Sequence, residues 1–379
     1  MQKAYKLHGV HKHYDWGGTK YIPDLMQLSN PQQLPYAEYW MGAHPSAPAS
    51  LETAQGPISI QTLGTVPYLF KVLDVAKMLS IQVHPNKPSA EIGFAFENKA
   101  GIAIDAPNRN YKDQNHKPEV MVALSDFWLL HGFLTPTLLK ERLQAFSCFH
   151  SLLPYFGNNN YQGLYQYFMQ LPGEEADLIL KPLIKEAIAS VAEGKVDKSH
   201  PHWWANKYYQ GVLPENNIDK GIFSIYILNI VQVEKYQAVF QGAGLLHAYL
   251  EGQNIELMAN SDNVLRGGLT PKHIDIDELL KHIQFDSTIP VIMNGNAINQ
   301  VETNYPCPVP DFGISKLTLT ANQTYSLQAK EMEILLLEKG ELWIEDNMYK
   351  AGEVALIAAG VVVELNAKSD AVVFRSFVP

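Results

Sequence analysis

The chain changes its hydrophobic period twice, and that alternation constrains its fold more than any single residue. Up to about residue 135 apolar residues come in short runs, Tyr68 to Leu73, Met78 to Val83 and Val120 to Leu124, separated by Pro, Gly and Asn clusters. Such text belongs to strands and turns. From Thr135 a helix-opening threonine and proline lead into leucines at helical spacing, and Tyr161 to Gln170 and Glu174 to Val191 continue in Ala, Leu, Ile, Glu and Lys. This predicts a helical insertion over 135–211. Strands are predicted again at Gly221 to Leu228 and Tyr236 to Phe240, and a short helix at Asp275 to Lys281. Beyond about residue 290 a separate all-β unit is predicted, with runs at Glu333 to Leu337, Glu341 to Glu345, Glu353 to Ile357 and Val361 to Leu365 and turns at Gly340 and Gly352. The expected class is mainly β with a helical insertion.

With 379 residues, 46% hydrophobic and 18% charged, the chain has the composition of a folded protein of two or three packed units. No run approaches the length of a membrane span, and Met1 to His8 lacks the apolar centre of a signal peptide, so a cytoplasmic location is expected. Cys148 and Cys307 lie far apart, which favours neither a disulfide framework nor a thiolate metal site. A formal charge of −10 argues against a nucleic-acid surface, but two or three local cations suffice for a small phosphorylated ligand. No membrane or nucleic-acid partner is expected, and a monomer is the working expectation.

The chemistry concentrates in Leu79-Ser80-Ile81-Gln82-Val83-His84-Pro85. In a strand Gln82 and His84 share one face while Ile81 and Val83 bury on the other. Glu119, between Pro118 and the apolar run Val120 to Leu124, starts a neighbouring strand and offers an anionic oxygen; His247 offers a second imidazole. Nitrogen and oxygen ligands with a position open for water or substrate describe a catalytic zinc site better than a structural one. The spacing also describes a hydrogen-bonded strand histidine beside a surface carboxylate. His11 with His13 and His200 with His202 share it.

Further segments narrow the reading: Ala37 to Pro45 (AEYWMGAHP), Tyr68 to Leu73, Ser80 to Asn86, Asn110 to Asp113 with His116 to Glu119, and Asn260 to His273 (NSDNVLRGGLTPKH). In residues and order they resemble the type I mannose-6-phosphate isomerases. The resemblance implies that Gln82, His84, Glu119 and His247 hold one zinc ion. It implies a zinc-dependent aldose-ketose isomerase that interconverts mannose 6-phosphate and fructose 6-phosphate and feeds activated-mannose (GDP-mannose) synthesis. It also implies a cupin-like jelly-roll catalytic unit over 1–134 and 212–288, interrupted by the helical insertion. The C-terminal unit, 289–379, resembles a second cupin jelly roll, with Ala351 to Gly360 in place of a metal-binding motif. No histidine follows His282, so this unit is expected to serve packing.

Aldose-ketose isomerisation moves a proton between adjacent carbons and stabilises an enediolate oxygen. Arg266, flanked by glycines, is the first candidate for stabilising that charge, and the resemblance marks it as an active-site residue. Lys117, two residues from Glu119 on the same extended face, is the candidate base; Glu256 and a water held by the metal are others. For substrate holding the resemblance points to Glu38, Lys71 and Lys272, and Glu256 is placed with them. Trp16 and Trp40 are expected in the core. A non-catalytic sugar-phosphate-binding or regulatory cupin protein is the alternative; a cupin iron oxygenase would use two His and one carboxylate but fits Gln82 and the cations poorly.

Overall fold

The strand His247–Ala259 organises the part of the molecule that precedes residue 290. Its first residues pair with Phe127–Phe133 and Ile81–Val83, and its last with Tyr68–Val75 and Glu119–Ala123. The strand bends between these halves, where the register shifts between Tyr249 and Glu251 and Gly252 takes φ +126°. A side chain there would drive into the backbone of Phe127, so the bend requires glycine. The computed structural model describes residues 2–379. It is mainly β, with helices interposed.

Period-two alternation sorts this sheet into two faces. Phe127, Leu129, Met121, Val239 and Tyr249 cluster on the inner face, while Trp128, Leu130, Ile81, Val83 and Ala248 pack outward beneath the helices. The helices Pro136–Ala145, Tyr161–Gln170 and Gly173–Ala192 lie where their leucine spacing predicts. Thr135 precedes the first of them without a side-chain cap.

One predicted strand is a helix. Gly221–Ile227 is α-helical and every one of its seven residues is buried, so the helical run extends past Gly211 to Ile227. A short apolar run enclosed on all sides shows no polar stripe, and periodicity cannot separate it from a core strand. Lys87–Lys99, opened by Asn86, whose Oδ1 accepts the Ser89 N–H at 2.9 Å, is a helix that the strand-like reading of the first 135 residues passed over. The strand expected from Met78 is confined to Ile81–Val83. Asp275 caps the helix Ile276–His282, one residue later than predicted.

After residue 290 strands follow one another to the end, as predicted, but they do not form a closed unit of their own. The strand Ala4–His8 pairs with Val354–Ile357, and Ser50–Leu51 extends the same sheet. Along Glu333–Lys339, Ile334 and Leu336 pack toward the first sheet with Tyr68, Phe70 and Leu257, whereas Leu335 and Leu337 face a second core with Leu317 and Leu342. Burial on both faces explains why this strand reads as a continuous apolar run. The C-terminal strands thereby brace the outside of the sheet that carries His247.

Candidate metal centre and cleft

Four side chains of different strands fall in one row. Gln82 is the cross-strand partner of both His247 and Arg266, and His247 is in turn opposite His131 on its other side. Directly opposed residues project to the same face, so Arg266, Gln82, His247 and His131 line up across the sheet. His84, two residues beyond Gln82, continues the same face past the strand end. Glu119 begins the strand that pairs with the far end of His247–Ala259.

His84, Glu119 and His247 converge: one ligand atom from each lies within 4.8 Å of the others. All three residues are buried. His84 Nε2 stands 3.2 Å from Glu119 Oε1 and His247 Nε2 stands 3.3 Å from Glu119 Oε2. The opposite ring nitrogens settle the tautomers. His84 Nδ1 lies 3.0 Å from the Asn263 carbonyl and His247 Nδ1 lies 2.9 Å from the Leu245 carbonyl. A carbonyl oxygen can only accept, so each Nδ1 carries the proton and each Nε2 turns a lone pair toward the carboxylate. Both Nε2 atoms and Glu119 Oε2 are buried without a hydrogen-bond partner. Three electron-rich atoms facing one another inside the protein form a site that fits a divalent cation, and backbone-anchored imidazoles beside a carboxylate are a donor set suited to zinc.

Surrounding charges favour the ionised carboxylate. Burial opposes ionisation of Glu119, but the Lys117 ammonium, with Nζ 3.1 Å from Glu119 Oε1, leads the effects that hold its pKa well below the ordinary value. Burial lowers the His84 pKa to about 4, which keeps its ligating nitrogen free of protons at neutral pH.

The opening above this cluster is a cleft of about 660 Å³ lined by Trp16, Glu38, Gln82, Lys117, Arg266 and Lys272, among others. Its size suits a small ligand. Arg266 makes no ion pair or side-chain hydrogen bond among the described residues, neither with Asp262 nor with Glu256. Partial burial lowers its pKa, and the Lys272 pKa falls through burial and then repulsion from Arg266 and Lys112. These three cations leave a local excess of positive charge in an acidic protein.

A family model for the catalytic domain of type I phosphomannose isomerase matches residues 4–135. The mannose-6-phosphate isomerase of Salmonella typhimurium is 37% identical, over 93% of this chain and 94% of its own. The chain belongs to the mannose-6-phosphate isomerase family. The mouse mannose-6-phosphate isomerase is 29% identical over 99% of this chain and 98% of its own. Among solved structures, a mannose 6-phosphate isomerase bound with zinc and yttrium covers 99% of both chains with TM-score 0.87 and 34% identity. The Salmonella typhimurium mannose 6-phosphate isomerase bound to substrate and a zinc atom matches equally, with TM-score 0.87, 34% identity and 99% of each chain. Membership in the mannose-6-phosphate isomerase family agrees with the mainly β architecture and with a single buried donor cluster among the described residues.

Within this mannose-6-phosphate isomerase fold the expected site residues fall into two groups. Gln82, Lys117, Glu38, Arg266 and Lys272 face the cleft, whereas Lys71 and Glu256 form a buried ion pair outside its lining. Their strands put them directly opposite each other. Burial works against the Lys71 charge, yet Glu256, Glu38 and Glu119 outweigh it and raise the pKa above its ordinary value. The Tyr249 hydroxyl donates to Glu256 Oε1 at 2.9 Å, and the Glu38 carboxylate accepts the Trp40 indole N–H. Trp16, partly buried against the inner-face core, also lines the cleft, while Trp40 is buried as expected.

Sequence reasoning missed Lys112 and His131. Lys112 lies in a loop whose backbone N–H is held by the Asn263 side chain at 2.7 Å, so only the fold delivers it. His131 sits in an apolar strand, Phe127–Phe133, where a lone polar residue on the inner face was the available signal. Burial depresses its pKa to about 4, with repulsion from His247 adding to the effect. Because the unfolded chain has the higher pKa, it binds more protons in the window from 6.5 down to 4, and stability falls as pH falls through that window. Between pH 7 and 5 wild type is expected to lose about 2 kcal/mol that His131→Leu does not lose, measured by urea denaturation. Equal acid sensitivity of the two proteins contradicts a buried neutral imidazole.

Proposed function

We propose that the cleft interconverts mannose 6-phosphate and fructose 6-phosphate with a zinc ion held by His84, Glu119, His247 and Gln82. The observation that carries this reading is the convergence of two carbonyl-anchored imidazoles and a carboxylate on one unpartnered buried centre, directly beneath a cation-lined cleft. When bound, zinc polarises or orients the sugar oxygens at the reacting carbons.

The chain's own groups supply the rest. Lys117 stands at the cleft beside Glu119; in its neutral amine form it takes the C2 proton of the open-chain aldose and returns it to C1, while the C2 hydroxyl proton passes to the C1 oxygen. Arg266, paired with no carboxylate among the described residues, donates to the enediolate oxygen as charge develops there. Lys272 and Lys112 hold the phosphate, and Glu38 with Trp16 borders the sugar. Lys71 and Glu256 act from below as a fixed charge pair that, with Tyr249, keeps the floor of the cleft rigid. We read the two β units as jelly rolls, the first carrying the site and the C-terminal one, without histidine, bracing it.

A coupled assay of fructose 6-phosphate formation from mannose 6-phosphate by the zinc-loaded protein tests the reading. Turnover on the scale of about 1–1000 per second is expected. No turnover from fully zinc-loaded protein that still binds the sugar phosphate favours the non-catalytic alternative.

A further inference from the structure

Arg266 and Lys272 are carried by one segment, and that segment is fastened to the helical insertion through a single carboxylate. Asp219 Oδ1 accepts the backbone N–H groups of Gly221 at 2.7 Å and Leu269 at 2.8 Å. Its Oδ2 accepts the Thr270 N–H at 2.8 Å and the Tyr208 hydroxyl at 3.1 Å. Four donors saturate the carboxylate, so it has no lone pair to spare for substrate or metal.

The backbone it holds is one the chain does not adopt readily. Leu269 has φ +55°, in the left-handed region that branched and bulky residues avoid, and such a conformation persists only where surrounding contacts over-determine it. Gly268 and Gly221 meet back to back, and a side chain on either would strike the backbone of the other segment. The segment then runs through Thr270 and Pro271 to Lys272, and all three line the cleft. Tyr208, another residue that bonds Asp219, lines it too. The helical insertion, which also lines the cleft with Lys207 and Gln210, is thus hydrogen-bonded to this segment through Asp219.

We propose that Asp219 is a positioning residue: by accepting the successive N–H groups of Leu269 and Thr270 it fixes the backbone that aims Arg266 and Lys272 into the cleft. The inference rests on the reading that Lys272 binds the substrate phosphate. Releasing the segment costs alignment of groups that must meet the substrate within a fraction of an ångström.

The experiment uses the zinc-loaded full chain with Asp219→Asn, Lys272→Ala and the double variant, and measures zinc content, KM, kcat and competitive inhibition by inorganic phosphate. Asp219→Asn keeps the shape of the side chain but turns one acceptor into a donor. It is expected to raise KM and the phosphate inhibition constant by about tenfold, with a smaller drop in kcat and unchanged zinc content. In the Lys272→Ala background the same substitution should change phosphate inhibition less than about threefold, because the cation it positions is gone. An equal factor in both backgrounds, or loss of zinc in step with activity, overturns the positioning role. If Lys272→Ala alone leaves phosphate inhibition untouched, the phosphate reading of Lys272 fails. If Lys272→Ala weakens phosphate but Asp219→Asn does not, the Asp219 proposal fails by itself. Should Asp219→Asn not fold, Asp219→Glu, with the charge kept and the reach changed, is expected to give the same KM rise, and wild-type KM from it overturns the proposal.

Discussion

Arg266→Ala is expected to lower kcat by about a thousandfold while leaving bound zinc unchanged, since one lost donor to a developing oxyanion costs about 3–4 kcal/mol. The side chain lies in the row with Gln82 and His247, faces the cleft, and is neutralised by no carboxylate among the described residues. Its charge is thus available to the reaction. Arg266→Lys should recover only part of the rate, because an ammonium cannot present the guanidinium's planar fork. KM should rise far less than kcat falls if the contact forms mainly in the transition state. A variant that loses zinc together with activity would instead place Arg266 among the supports of the metal site.

Removing either imidazole should have the other large effect. His84→Ala and His247→Ala are each expected to weaken zinc binding by at least about a hundredfold and to abolish turnover at stoichiometric zinc, measured by competition with a chromophoric chelator. Gln82→Ala should weaken zinc less than either, because a neutral amide oxygen is a poorer ligand than an imidazole nitrogen. An inverted order, with Gln82 dominant, contradicts the assignment of the buried cluster as the centre of the site. Asn263 tunes this indirectly: its carbonyl accepts from His84, while its side chain ties Lys112, Asp113 and Asn115 into one loop.

How much of this was legible depended on distance along the chain. The Gln82 and His84 pair could be read directly, because a strand repeats every two residues and both flanking positions are apolar. Lys117 and Glu119 followed for the same reason, and they meet at 3.1 Å. His247 could be offered from the sequence only as a further imidazole; its place beside Gln82 is set by strand pairing across a long stretch of chain, and the family resemblance assigned it to the metal. Lys71 and Glu256 were singled out as substrate-holding groups, yet cross-strand register makes them partners of each other. Pairing of that kind lies beyond local pattern.

Two misread segments share a cause. Gly221–Ile227 was read as a strand because complete burial erased the amphipathic stripe, and Ala4–His8 gave no sign that it would enter the C-terminal sheet. Both are decided by what the segment packs against. Asp219 belongs to the same class, since a carboxylate in a loop looks solvated until the fold brings four donors around it.

A zinc titration of the chelated wild-type protein, with mannose 6-phosphate turnover read at each step, decides whether the buried cluster is the working metal site. Turnover should rise in proportion to zinc and level off at one ion per chain, as a single donor cluster requires. Undiminished turnover in the zinc-free protein, or none with one zinc bound to each chain, would contradict that role.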